Sequence, residues 1–159
     1  MSFLQHIRHS RGYGIHSPFL YGVIRGAFMK PRPLEDCTEL MDSLKGSCGA
    51  GKKEALMLQN YFTYCNCTSA KIDSAADSAD TDGVMLIATR SCPTEKVAEM
   101  AASIGSRKAT LCILTRSADR NLKEFVGNLV AGHDSMSISN RYFTMLFYNE
   151  LRPKQHINL

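Results

Sequence analysis

A chain of 159 residues, 44% hydrophobic and 21% charged, is long enough and apolar enough to bury a sizeable core. No apolar run approaches the roughly 20 residues that cross a membrane, and a net charge of +4 is too small to mark a polyelectrolyte binder. The six cysteines (37, 48, 65, 67, 92, 112) lack CxxC spacing, and no signal-peptide core opens the chain, so they read as reduced thiols of a cytoplasmic protein. The five histidines show no ligand spacing, and no metal is expected.

The charge is unevenly spread. No Asp or Glu precedes Glu35, whereas Arg8, Arg11, Arg25, Lys30 and Arg32 do. The clustered cations and aromatic platforms of nucleic-acid modules are lacking, so this reads as the basic surface of an ordinary domain. Residues 2–10 suggest a short helix. In Arg11-Gly-Tyr-Gly-Ile-His-Ser-Pro-Phe19 the pair Ser17-Pro18 predicts a helix start, cap then first turn, and the helix runs over 18–29 until Pro31 and Pro33. His16, just before that cap, reads as a residue that orders its own loop. A second helix is expected over 34–45 and a third over 52–64. Between them, Gly46-Ser-Cys-Gly-Ala-Gly-Lys-Lys53 approaches a phosphate-binding P-loop. It has Lys53 where Ser or Thr would hold magnesium, and a helix rather than a strand precedes it. It reads as a turn between helices.

Thr68–Asp73 suggests a short strand, and residues 74–82, small and acidic, a loop. Then the pattern sharpens. Val84–Ala88 and Ala109–Leu114 are continuous apolar runs, as in strands covered on both faces. Helical spacing follows each, over 94–104 and 119–131. Met136 and Ile138 alternate with serines, and 142–148 is rich in aromatics, with Asn140-Arg141 between as a reversal. The fold class is therefore α/β: a small, mainly parallel Rossmann-like sheet with a helical amino-terminal part and an antiparallel carboxyl-terminal edge hairpin. The whole is expected to be one domain: residues 1–66 helical, 67–82 a weak strand and loop, and 83–159 a βαβαββ arrangement. The tail after Leu151 is polar and expected at the surface.

Leu86–Ser91 resembles Cys112–Ser117, 26 positions on, and each ends in Thr-Arg-Ser directly after a strand. In a parallel sheet that point is the carboxyl edge, where open α/β sheets bind ligands. Arg90, Ser91, Arg116 and Ser117 are accordingly candidate ligands of a phosphate or carboxylate, against the plainer reading of the serines as helix caps and the arginines as solvated loop residues.

The motif Arg11–Phe19 and the tail Lys154-Gln155-His156 resemble a family of small bacterial class I S-adenosylmethionine-dependent methyltransferases. The resemblance implies that 82–148 is the second half of that fold, from its fourth strand to its closing antiparallel pair, behind a helical amino-terminal portion. It also implies a first strand ending in an acid and a glycine-rich turn that holds the cofactor. Here Lys71-Ile72-Asp73 is followed by Ser74-Ala75-Ala76, with no glycine before Gly83, and the second and third strands are missing. Thr89-Arg90 and Thr115-Arg116 stand where the family tends to place acids.

The resemblance thus implies a shortened methyltransferase-like protein that has lost its activity and takes no cofactor. The alternative is a binding module with an anion site at the sheet edge. The third reading is an active methyltransferase that binds S-adenosylmethionine in a site rebuilt from Asp73 and the serine-rich loop. Expected partners are a second copy, covering the uncovered sheet edge, and a phosphorylated or carboxylated small molecule; neither a membrane nor nucleic acid is among them.

Overall fold

The computed structural model describes residues 17–150 and 153–159. The motif up to His16, the helix expected over 2–10, and Leu151-Arg152 lie outside the described residues. The chain divides into two compact units, one through Cys67 with Asn158 and Leu159, the other Thr68–Ile157.

In the first unit the helix start is as the sequence predicts. Ser17 caps α1 (Pro18–Val23), its hydroxyl accepting from the Leu20 amide at 3.3 Å, with Pro18 in the first turn. α1 then widens into a single π-helical stretch over Ile24–Phe28. The second helix, α2, spans Glu39–Ser47 rather than 34–45. Before it, Pro31–Leu34 is held against the third helix, α3 (Lys52–Tyr64). The fully buried Asn60 on α3 accepts from the Leu34 amide at 3.0 Å and donates to the Arg32 carbonyl at 3.1 Å and the Ala27 carbonyl at 3.4 Å. Gln59 beside it accepts from the Met41 amide at 3.0 Å. The near-P-loop sequence is the α2–α3 connection, as its helical context requires, with Gly49 at φ +60° and Glu54 accepting from the Gly51 amide.

The second unit is built on six strands: β1 (Ser69–Ile72), β2 (Val84–Ala88), β3 (Ala109–Leu114), β4 (Met136–Ser139), β5 (Phe143–Tyr148) and β6 (Gln155–Asn158). The sheet order is β1-β2-β3-β5-β4-β6. β1, β2 and β3 run parallel, and β5 is inserted antiparallel between β3 and β4. Every residue of β2 and β3 is buried, as continuous apolar strands require. Val84, Leu86, Ala88, Leu111 and Ile113 form one core with α4 (Thr94–Ser103) and α5 (Arg120–Gly132) through Val97, Met100, Leu122 and Val126. The α/β class and the antiparallel β4–β5 pair are those expected. The tail differs: Gln155–Asn158 is a strand beside β4, with Ile157 buried, His156 Nδ1 2.7 Å from the Ser137 hydroxyl, and the Lys154 ammonium donating to the Ala131 carbonyl at the end of α5.

β1 and β2 are parallel neighbours joined by residues 73–83 without a helix. That is shorter than the dozen or more residues a parallel crossover commonly takes. Side chains pin this loop in place of a helix. The Arg107 guanidinium donates to the carbonyls of Asp80 and Asp77 at 2.9 and 3.0 Å, and the Ser103 hydroxyl accepts from the Ala76 amide at 2.8 Å. The Lys71 ammonium on β1 pairs with Asp77 at 2.7 Å and Asp80 at 2.6 Å. Hydrogen bonding to that ammonium holds both carboxyls below their ordinary range and raises Lys71 above its own. A carboxyl with a lowered folded pKa contributes stability that is present above its ordinary pKa and lost as pH falls through the folded value. Acid titration should therefore release this loop below about pH 4, the ordinary Asp range. Asp80→Asn should flatten that region of the stability profile, read as amide exchange over residues 76–82; an unchanged profile would show that the pair does not hold the crossover.

Candidate functional site

The two Thr-Arg-Ser copies fold alike at first. Each closes a turn directly after its strand, with the Cys92 amide donating to the Thr89 carbonyl at 3.0 Å and the Ala118 amide to the Thr115 carbonyl at 3.2 Å. Neither serine caps a helix. Pro93 occupies the cap position of α4, and Asp119 caps α5 by accepting from the Leu122 amide at 2.8 Å. Ser117 alone has a positive φ, +60°, so the second turn is differently wound.

Their surroundings then diverge. The turn after β3 meets the β4–β5 reversal, because the Tyr142 carbonyl accepts from both the Thr115 and Arg116 amides, at 2.9 and 3.0 Å. Asn140 shapes that reversal: its side-chain oxygen accepts from the Tyr142 and Phe143 amides at 2.8 and 3.0 Å. The Arg116 and Arg141 guanidinium carbons lie 5.7 and 4.7 Å from the centroid of the buried Tyr142 ring, cation–π contacts on one aromatic. Arg141 also donates to the Tyr142 hydroxyl. Between this corner and α5 lies an open cleft of about 600 Å³.

Arg116, Ser117, Lys123 and Arg141 line the cleft, and Val126, Gly127 and Val130 of α5 give it an apolar wall. Ser139, Thr144 and His156 complete it from the sheet side. No Asp or Glu lines it, and among the described residues Arg116, Lys123 and Arg141 form no ion pair. Asn140, also in the lining, leaves its amide nitrogen buried without a hydrogen-bond partner among the described residues. Such a donor costs roughly 1–3 kcal/mol until something accepts from it. Three cations in the lining, with a buried spare donor beside them, make an arrangement suited to an anion.

Arg90 and Ser91 do not line this cleft. The turn after β2 faces Asp73 instead, which follows β1 at φ +49°. Asp73 accepts from the Thr89 amide and hydroxyl, both at 2.7 Å, and the Ser91 hydroxyl lies 3.2 Å from that of Thr89. The buried Cys92 thiol bonds to the same carboxylate and is pushed up to about 12, by burial first and by the neighbouring Asp73 charge second. That thiol is an inert proton donor, not a nucleophile. Three donors thus converge on Asp73, and the loop after it is tied to Ser103 and Arg107. The residues after β1 do not fit a cofactor that needs a free acid and a glycine-rich turn.

The strand-edge rule names Arg116 and Ser117, which the structure places in the lining of this cleft. It misses Lys123, Arg141, Asn140 and the α5 wall. One signal was present: Lys123, Val126, Gly127 and Val130 share a helix face at i, i+3, i+4 and i+7. No family model, curated protein or solved structure matches the chain.

Proposed function

We propose that this chain is a non-catalytic binding module on a methyltransferase-like scaffold, and that its ligand is a small phosphorylated or carboxylated molecule held in the cleft by Arg116, Lys123 and Arg141. The observation that carries the reading is the convergence of three cations with no carboxylate in the lining. The inactive-scaffold reading is supported by the engagement of Asp73 with Thr89 and Cys92 and by the short crossover that stands where further strands would be. The antiparallel β5 between β3 and β4 supports the resemblance to that fold. A second copy at the sheet edge is less favoured, because β1 is only four residues long and carries the paired Lys71, a charged fringe that opposes strand addition.

Calorimetry on the whole chain tests the reading with two titrants. Inorganic phosphate should bind, more weakly as salt rises, and S-adenosylmethionine should give no binding heat at micromolar protein. Binding of S-adenosylmethionine alone would overturn the proposal and restore the enzyme reading.

A further inference from the structure

The anion reading leaves most of the cleft unexplained. Its volume of about 600 Å³ falls in the range of small-molecule sites, roughly 300–1,000 Å³, and far exceeds a bare phosphate. Its lining joins three cations and the polar Ser139, Thr144 and His156 of the sheet side to an apolar stretch of α5. The cations sit where the β3 exit, the β4–β5 reversal and the first turn of α5 meet. Val126 and Val130 extend along α5 away from them, Lys123 and Val130 being about 10 Å apart at 1.5 Å per helical residue.

Gly127 supplies an independent observation. It lies in the middle of the 13-residue α5, where a glycine weakens a helix relative to alanine. Nothing among the described residues requires it: φ is not positive, and a Cβ built there meets none of their atoms within 4 Å. The position lines the cleft between Val126 and Val130. Gly127 is exposed as well as lining the cleft, so a side chain there would enter the open space along this wall without displacing any described atom.

Resting on the anion reading above, we infer that the ligand is amphiphilic: an anionic group at Arg116, Lys123 and Arg141, joined to a compact apolar body that lies along Val126, Gly127 and Val130. The charged end supplies orientation and the wall supplies burial, the usual division of labour in a small-molecule site.

The test compares inorganic phosphate with 1-naphthyl phosphate, on the wild-type chain and on Gly127→Leu, by calorimetry with thermal melting alongside. Wild type should bind 1-naphthyl phosphate at least tenfold more tightly than inorganic phosphate. Gly127→Leu should melt no lower than wild type, keep its affinity for inorganic phosphate, and lose the tenfold preference. Equal affinity of the two phosphates for wild type would overturn the amphiphile inference and leave the anion site standing. An undiminished preference in Gly127→Leu would overturn it as well, since the body would then lie elsewhere. If neither phosphate binds wild type, the anion reading falls and takes this inference with it. Should Gly127→Leu melt low, Gly127→Met serves in its place, with the same outcomes read the same way.

Discussion

Asn60→Ala should destabilise the first unit by about 3 kcal/mol, one of the largest losses a single side chain here can cause. The side chain is fully buried, and its three hydrogen bonds all go to backbone groups between Ala27 and Leu34. Removing it strands the Leu34 amide and deprives the Arg32 and Ala27 carbonyls of a donor, while Pro31 and Pro33 bar the segment from replacing those bonds with a helix. The Ala27 carbonyl is buried, and leaving it without a donor costs roughly 1–3 kcal/mol; the Leu34 amide and the Arg32 carbonyl belong to exposed residues and recover part of their loss from water, so the cavity left by the fully buried side chain makes up the rest. Asn60→Asp should be worse, despite its matching shape. It would set a carboxylate oxygen where the amide nitrogen now lies 3.1 Å and 3.4 Å from two carbonyl oxygens, and an unpaired buried charge is more costly than a cavity. Urea denaturation reads the loss, and amide exchange locates it: the Leu34 amide should lose its protection first. A change of under about 0.5 kcal/mol, the ordinary surface range, would refute this role.

The same residue shows why some elements were legible and others were not. β2 and β3 match their expected ranges, and α3 matches 52–64, because each carries its whole signal within its own run of residues. α2 begins later than its periodicity implies: the segment before it is held against α3 by Asn60, 26 positions from Leu34, a contact that no local period records. The π-helical stretch at Ile24–Phe28 leaves no mark in a 3.6-residue period. β6 has one buried apolar residue, Ile157, so its strand character comes from the free edge of β4 and not from its own composition.

The site follows the same division. The repeat of Thr-Arg-Ser is real in the backbone, where both copies close the same hydrogen-bonded turn. It is broken in space because the sheet is not symmetric about it. The end of β2 lies between two parallel strands and meets Asp73, whereas the end of β3 lies beside the start of the antiparallel β5 and meets Arg141 and Asn140. A local sequence match cannot register which neighbour the sheet order supplies. The cleft is therefore a product of topology: inserting β5 between β3 and β4 turns the reversal at Asn140-Arg141 toward Arg116.

On that geometry, Arg116→Glu should reduce phosphate affinity by at least a hundredfold, while Arg90→Ala leaves it unchanged. Losing one charge-assisted hydrogen bond costs about 1.5–3 kcal/mol, already ten- to more than a hundredfold, and a carboxylate in its place adds repulsion against the ligand. Arg116→Lys should lose less, keeping the charge without the planar fork that matches a phosphate edge. The fold should tolerate both changes at Arg116. Arg116 is exposed, and both guanidinium carbons lie near one ring, so they are within about 10 Å of each other. At that outer limit two like charges in water repel by about 0.4 kcal/mol, and by more if closer; Arg116→Glu trades this repulsion for an attraction to Arg141, which offsets the exposed cation–π contact with Tyr142 that it removes, worth about 0.5–1 kcal/mol. Melting should therefore move little while binding collapses, a pattern that damage to the core would not produce. Asn140→Ala offers the contrast, because its side-chain oxygen holds the reversal together: it should weaken binding and stability in parallel. Equal loss of phosphate binding in Arg90→Ala and Arg116→Glu would overturn the cleft assignment and show that the repeated Thr-Arg-Ser acts as a pair.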